Sequence, residues 1–456
     1  LKLWTPLLTL VTLVAVLSPV AYADELLPEA QTADMDPADD VLHVALTASP
    51  TLLEVAGIEV EGYAYNDQSP GPVLRAKVGD TFVADFTNTL TDPTTIHWHG
   101  MHVPFEMDGV AWQMAPVGPG ETFTYTFTLE HAGTFWYHPH VDTERQVDLG
   151  LYGVLIVEEP DAPVADVDLV LVFDGWGEAD LAQHDDDHGD DHDDAPRPML
   201  HEVIDVWTVN GQVRPTVTVP GGSVVRARIV NVSNAGYLDL RWPDMRHIAG
   251  EQGFLPTLQT PERLVLSPGD RAEVEWLVGE EGLVVENHRY TLHGGETYGD
   301  VSQVLEVAVV EPAAAPKGLA WPFTKKAVTP DPGHTDIVYV FQGSNRTHTW
   351  LINGEAFPDV TIESLPLGAL AVIEVRNLSP THHPFHMHGH AFEVLSVNGV
   401  LPSFKRIEDT VDIGIRERVR LLVHTTNPGD WMVHCHILPH VEHGMMTVLR
   451  VGEGGP

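Results

Sequence analysis

Three stretches of this chain repeat one pattern: a glycine, a strand-like run, and an asparagine nine positions after the glycine. They run from Gly79 to Asn88, from Gly222 to Asn231 and from Gly368 to Asn377, with the glycines 143 and then 146 residues apart. A period of that size is that of a whole domain, so the chain reads as a tandem of three like domains. Phe82-Val83-Ala84-Asp85-Phe86, Phe123-Thr124-Tyr125-Thr126-Phe127 and Val224-Val225-Arg226-Ala227-Arg228-Ile229-Val230 are aromatic or β-branched and often alternate. They read as strands, and no long helical period competes with them, which predicts an all-β sandwich architecture. The 39 glycines and 35 prolines suit many short strands joined by tight turns. A second shared element, Pro119-Gly120-Glu121 and Pro268-Gly269-Asp270, leads each time into an alternating strand. Domain boundaries are expected near 40–160, 161–312 and 320–456, with the Pro/Ala-rich stretch Glu311-Pro312-Ala313-Ala314-Ala315-Pro316 as a linker.

Charge and cysteine count narrow the function classes. Lys+Arg 24 against Asp+Glu 66 gives a net charge of −42, which repels nucleic acid and anionic membranes. A single cysteine excludes an internal disulfide framework, a cysteine-rich zinc site and an iron–sulfur cluster. At the N-terminus, Lys2, the apolar run Leu7 to Leu17 and Ala21-Tyr22-Ala23 read as a signal peptide over 1–23. The mature chain is then expected from Asp24, outside the cytoplasm and without a membrane span. Sequence leaves the oligomeric state open.

The histidines fall into step with the repeat. Nine residues after Asn88 stands His97-Trp98-His99, and nine after Asn377 stands His386-Met387-His388. Five residues after Gly133 stands His138-Pro139-His140, and five after Gly429 stands His434-Cys435-His436. With 26 histidines, about one or two such pairs would arise by chance; four in register with an independent repeat do not. Alternate residues of a strand share a face, so each pair offers two imidazoles roughly 6–7 Å apart. Eight imidazoles from the first and third domains can converge on a cluster of metal ions between them. Imidazole suits copper, zinc, iron and nickel alike, so the histidines do not choose the metal.

Cys435 chooses it. Between His434 and His436 its sulfur must face the other side of the strand, where His383, His440 and Met445 are within reach of it by sequence. Two His, one Cys and a weak axial Met make a blue-copper electron-transfer site. The first domain has Thr94, Pro139, Glu144 and Leu149 at the equivalent places, and the middle domain has Leu240-Arg241-Trp242 where a first His pair would stand. The middle domain should therefore hold no copper ligand.

Taken together, these motifs resemble those of the three-domain bacterial multicopper oxidases, the laccase and cuprous-oxidase group. They are His97-Trp98-His99-Gly100, His138-Pro139-His140, His383-Pro384-Phe385-His386-Met387-His388-Gly389 and His434-Cys435-His436-Ile437-Leu438-Pro439-His440 with Met445. The resemblance covers essentially the whole mature chain and implies three consecutive cupredoxin-like Greek-key β-sandwich domains and four copper ions. By it, His97 and His386 hold the type 2 copper. His99, His138 and His436 hold one type 3 copper, and His140, His388 and His434 hold the other. His383, Cys435, His440 and Met445 hold the type 1 copper, the His-Pro-x-His spacing favouring His383 over His382. Asp108, in Glu106-Met107-Asp108-Gly109, matches a carboxylate that serves proton delivery in the family; its plain reading is a turn aspartate. Relatives often carry a second relay glutamate just after the last type 1 histidine, where this chain has Val441, with Glu442 adjacent.

The implied activity couples four one-electron oxidations of a small reducing substrate to reduction of O2 to two waters. A cuprous oxidase of copper tolerance would tend to carry Met-rich inserts and an Asp and a Met before the first type 1 histidine. This chain has 10 scattered Met, and Ser379 and Thr381 at those places, which favours laccase-like oxidation of phenols and aromatic amines. A non-catalytic copper-binding protein of the envelope is the alternative from another class, and complete ligand sets argue against it. The segment His184-Asp185-Asp186-Asp187-His188-Gly189-Asp190-Asp191-His192-Asp193-Asp194 reads either as a solvated loop or as a surface metal trap.

Overall fold

Each asparagine that closes a repeat is buried and ties the same three points. Asn88 Nδ2 donates to the carbonyls of Asp92 and Val117 at 2.8 Å each, while its Oδ1 accepts from Leu90 N at 2.9 Å. Asn231 does the same with Gly236 and Leu266 and with Ser233 N. Asn377 repeats it with Thr381 and Ile413 and with Ser379 N. A buried amide with three partners is the cheapest way to turn a strand out of its sheet without orphaning backbone groups.

This computed structural model describes residues 34–36, 38–159, 162–177, 204, 206–290, 297–310, 323, 326–344 and 349–452. The expected signal segment 1–23, the acidic segment 184–194 and the linker 311–316 lie outside them.

The three strands carrying the repeat, Thr81–Asn88, Val224–Asn231 and Leu370–Asn377, occupy one place in one topology. Each lies parallel to the opening strand of its unit, Val41–Val55, Val167–Trp176 or Ile337–Ser344. Each is antiparallel on its other edge to Thr122–Thr128, Arg271–Leu277 or Arg418–His424. Among the described residues, six sheets therefore form three sandwiches, with strand pairing that crosses between non-consecutive strands as in a Greek key. Every core is filled from both of its sheets: Phe82, Trp98, Tyr125 and Tyr137 in the first, Ile229, Leu240, Trp276 and Leu305 in the second, Phe341, Trp350, Phe385 and Trp431 in the third. Burying each such side chain contributes roughly 1.5–3 kcal/mol, and edge-on packing such as Phe82 against Trp98 at 4.8 Å adds to it.

A separate apolar seam joins the units. Trp136 and Tyr152 of the first pack with Val172 and Val230 of the second and Leu438 of the third. The strand Val224–Asn231 is consequently buried on both faces. Its outer Arg228 bonds Glu273 at 2.9 Å, and Glu273 accepts from Thr134 of the first sandwich at 2.7 Å. Among the described residues, no helix is long and apolar enough to cross a membrane.

Candidate metal centre

Strand register delivers the imidazoles. In the first sandwich His97–His99 pairs antiparallel with Gly133–His138, setting His97 opposite His138. In the third, His383–Met387 pairs with Gly429–Cys435, setting His386 opposite His434. The corresponding pair in the middle sandwich is Leu240 opposite Asn287. The two histidine-bearing ends face each other and interleave. His97 stacks on His388 and His99 on His386, both with ring centroids 3.9 Å apart. His140 lies 5.5 Å from His434, and His436 lies 4.8 Å from His99 and 5.8 Å from His138. One nitrogen each from His140, His388 and His434 falls within 4.8 Å of the others, as does one each from His97, His386 and His388 and from His97, His99 and His138.

Which nitrogen of each ring faces inward is fixed by what the other one does. A carbonyl can only accept, so Nδ1 of His97, His138, His386 and His434 must carry the proton, donating to the carbonyls of Asp108, Pro139, Asp409 and Cys435 at 2.8–3.0 Å. His388 Nδ1 bonds Asp108 Oδ2 at 2.8 Å. This leaves Nε2 of His97, His138 and His386 buried with no protein partner. His99 is reversed: its Nε2 faces Thr410 Oγ1 at 3.1 Å and Asp409 Oδ1 at 3.2 Å, leaving Nδ1 without a partner. A buried, unsatisfied nitrogen costs about 1–3 kcal/mol. Several of them aimed at one point, each held by a hydrogen bond behind it, is the arrangement of metal-ligating imidazoles. Burial and neighbouring imidazoles also push His99, His138, His140, His386 and His436 down, with His388 near 4 and His434 near 3, so the rings stay unprotonated and ready to ligate. The donor set fits metal ions.

Asp108 follows the 3-10 turn Phe105–Met107 and is fully buried. Burial works to raise its pKa, but the charges and hydrogen bonds of His388 and His97 outweigh it and hold the carboxyl far below the usual range. Its Oδ1 lies 3.3 Å from His97 Nδ1, which is already engaged with the Asp108 carbonyl. Gly109 makes this approach possible: at φ 78° a Cβ there would overlap the Ile96 carbonyl. Two residues absent from the sequence reading, Asp409 and Thr410, back His99 and His386. No motif or period marks them, since Asp409 stands 21 residues after His388 and 25 before His434.

On the opposite face of Gly429–Cys435 lies a second group. His383 Nδ1 and His440 Nδ1 stand 3.4 and 3.6 Å from Cys435 Sγ and 3.2 Å from each other. Ile437 N–H donates to the sulfur at 3.4 Å, and burial pushes the thiol up, so a thiolate here needs a cation beside it. Met445 is fully buried in the same core cluster as Cys435, and its backbone bonds both Cys435 and His440. Trp350 lies 3.8 Å from His440, and Ser379 Oγ bonds His383 Nε2 at 2.6 Å. His382 is turned away, bonded to Asp412 at 2.7 Å. Thr94, the first-sandwich counterpart of His383, bonds Gln146 instead.

Family models described as multicopper oxidase match residues 48–162 and 329–455. A solved multi-copper oxidase from Pseudomonas thermotolerans is 30% identical, covering 90% of this chain and 99% of its own with a TM-score of 0.77. The chain belongs to the multicopper oxidase family.

Two further relatives frame it. Multicopper oxidase MmcO of Mycobacterium tuberculosis is 28% identical, covering 89% of this chain and 86% of its own. The laccase-like multi-copper oxidase CueO of Ochrobactrum sp., described with oxidase activity towards lignin model compounds and lignosulfonate, is 26% identical over 91% of this chain and 97% of its own, with a TM-score of 0.73. As a multicopper oxidase the chain is a copper-binding oxidoreductase with O2 as acceptor. Beside Val441, Glu442 caps the helix Thr143–Asp148 by accepting Thr143 N–H at 3.0 Å.

Proposed function

We propose that this multicopper oxidase is an exported, laccase-like enzyme that withdraws single electrons from phenols or aromatic amines and delivers four of them to O2, releasing two waters. Copper held by these side chains supplies the one-electron chemistry. His383, Cys435, His440 and Met445 hold the type 1 ion. His97 and His386 hold the type 2 ion, while His99, His138 and His436, and His140, His388 and His434, hold the type 3 pair. The observation that carries the reading is that Cys435 sits between His434 and His436 on one strand. Its sulfur serves one face and its two neighbours the other, so a few covalent bonds link the electron-accepting site to the cluster.

The protein's own groups do the rest. Burial of all eight cluster imidazoles excludes bulk water, and the hydrogen bonds behind them fix their geometry. Asp108, ionised and with Oδ1 short of a hydrogen bond, takes up protons and passes them inward, four for each O2. Ser379 and Thr381, both buried beside His383, stand where a cuprous oxidase would tend to present an Asp and a Met, which supports an organic reductant. The lignin-model activity described for the Ochrobactrum relative supports the same class. Oxygen uptake with a phenol, an aromatic diamine and cuprous ion decides it: the first two should drive turnover well above the third. Cuprous ion as the only effective reductant would overturn the substrate class, and no uptake with any would favour a copper-binding protein without catalysis. N-terminal sequencing of exported protein should begin near Asp24.

A further inference from the structure

The middle sandwich holds none of the ligands, yet one of its turns forms part of the wall of the cluster. Pro268-Gly269-Asp270 is the element it shares with Pro119-Gly120-Glu121 of the first sandwich, and both glycines are left-handed, at φ 88° and 77°. There the likeness ends. A Cβ on Gly120 would meet nothing within 4 Å, whereas one on Gly269 would come within 2.9–3.1 Å of Cγ, Cδ2 and Nδ1 of His436. His436 is also the imidazole whose two ring nitrogens are both buried without a partner. No hydrogen bond to another residue sets its rotation, and its ring packs between Gly269, His99 at 4.8 Å and Trp136 at 5.5 Å.

Arg271, which opens the strand after the turn, reaches two more imidazoles through Asp409. Arg271 is fully buried, with Nε donating to Thr134 O of the first sandwich at 3.0 Å and Nη1 to Asp409 Oδ1 of the third at 2.7 Å. Glu251 Oε2 accepts from the backbone N–H of Asp409 and Thr410 at 2.7 and 2.9 Å. Gln252 Nε2 donates to Gly100 O and Asp409 Oδ2 at 2.8 and 2.7 Å. Asp409 and Thr410 are the residues that hold His99 Nε2 and His386 Nδ1.

We propose that the turn Pro268–Arg271 is a positioning element of the cluster: Gly269 sets the ring of His436 by contact, and Arg271 sets His99 and His386 through Asp409. The inference rests on the copper assignment above and explains why a ligand-free domain is wedged against the site. A guanidinium spanning three sandwiches is also a geometric lock that a lysine cannot reproduce, because it has one point of charge rather than a fork.

The test uses the matched glycines. Gly120→Ala and Gly269→Ala impose the same backbone strain, but only the second presses on an imidazole. Both, with Arg271→Lys, are purified as full chains, stripped and reloaded with copper. Gly269→Ala should keep the blue absorption of the Cys435 site while retaining at least one copper ion per chain fewer than Gly120→Ala, and crystals of the metal-free variant should show the His436 ring displaced. Arg271→Lys should likewise lose cluster copper with the blue site intact, and should alter the electron spin resonance signature of the type 2 ion. Equal copper and an unmoved ring in the two alanine variants would overturn the proposal. If Gly269→Ala does not fold, wild-type copper and an unchanged signature in Arg271→Lys would overturn it. Wild-type protein that reloads no cluster copper would instead sink the copper assignment.

Discussion

Asp108 holds two histidines with two different groups, its carbonyl on His97 and its carboxylate on His388. Asp108→Asn keeps the carbonyl contact and the shape of the side chain while removing a group able to carry a proton. Copper content and reduction of the blue site by substrate should survive, and steady-state oxygen uptake should fall by about 100-fold or more, the lower end of the usual loss for a proton-transfer group. Unchanged uptake would leave Asp108 as a turn residue. Cys435 and His99 form a second contrast at this scale, since they occupy different faces of the assembly. Cys435→Ser should erase the blue absorption and nearly all turnover, because the sulfur is both ligand and conduit. His99→Ala should stop oxygen reduction and leave the colour. Loss of the blue absorption in both variants would mean that the two sites are not separable in the way the strand geometry implies.

At the scale of strands and turns, the asparagine that ends each repeat has a calculable value. Asn231→Ala removes four hydrogen bonds and takes from the Leu266 carbonyl and the Ser233 N–H their asparagine partner, while the Gly236 carbonyl keeps the Ser233 hydroxyl. At about 1–3 kcal/mol for each orphaned group, stability of the middle sandwich should fall by roughly 2–4 kcal/mol, read from the shift in its denaturant midpoint. A negligible shift would mean that water replaces the amide. This scale is also where sequence was most legible. Register could be counted from Asn88 and Asn377 to the His pairs because strand period and topology preserve distance along the chain. What could not be counted were contacts without a period. Asp409, Glu251 and Arg271 meet across about 140–160 residues, and nothing in their spacing predicts it. The Val-Arg-Ala-Arg alternation of Val224–Val230 similarly suggests one wetted face, yet the strand is buried throughout, and Thr134 of the first sandwich donates to the Glu273 that pairs with Arg228.

For the molecule as a whole, a net charge of −42 on 456 residues must repel itself wherever it is solvated. Buried ion pairs such as Arg271–Asp409 do not relieve that surface term. Screening at 1 M salt shortens the Debye length to about 3 Å, so the melting temperature should rise with added salt. A melting temperature that stays flat or falls would show that surface repulsion is a minor term.

The division of the cluster between the first and third sandwiches also dictates an order of manufacture. Half of its imidazoles, His97 to His140, leave the ribosome ahead of the others, His140 preceding the first of them, His386, by 246 residues. A nascent chain therefore presents an early half-site with no mate, and Cys435 emerges 295 residues after His140. A chain translated only through its first two sandwiches cannot complete the assembly. Closing the cluster must wait for the third sandwich to dock against the first, since groups such as His140, His388 and His434 draw on both.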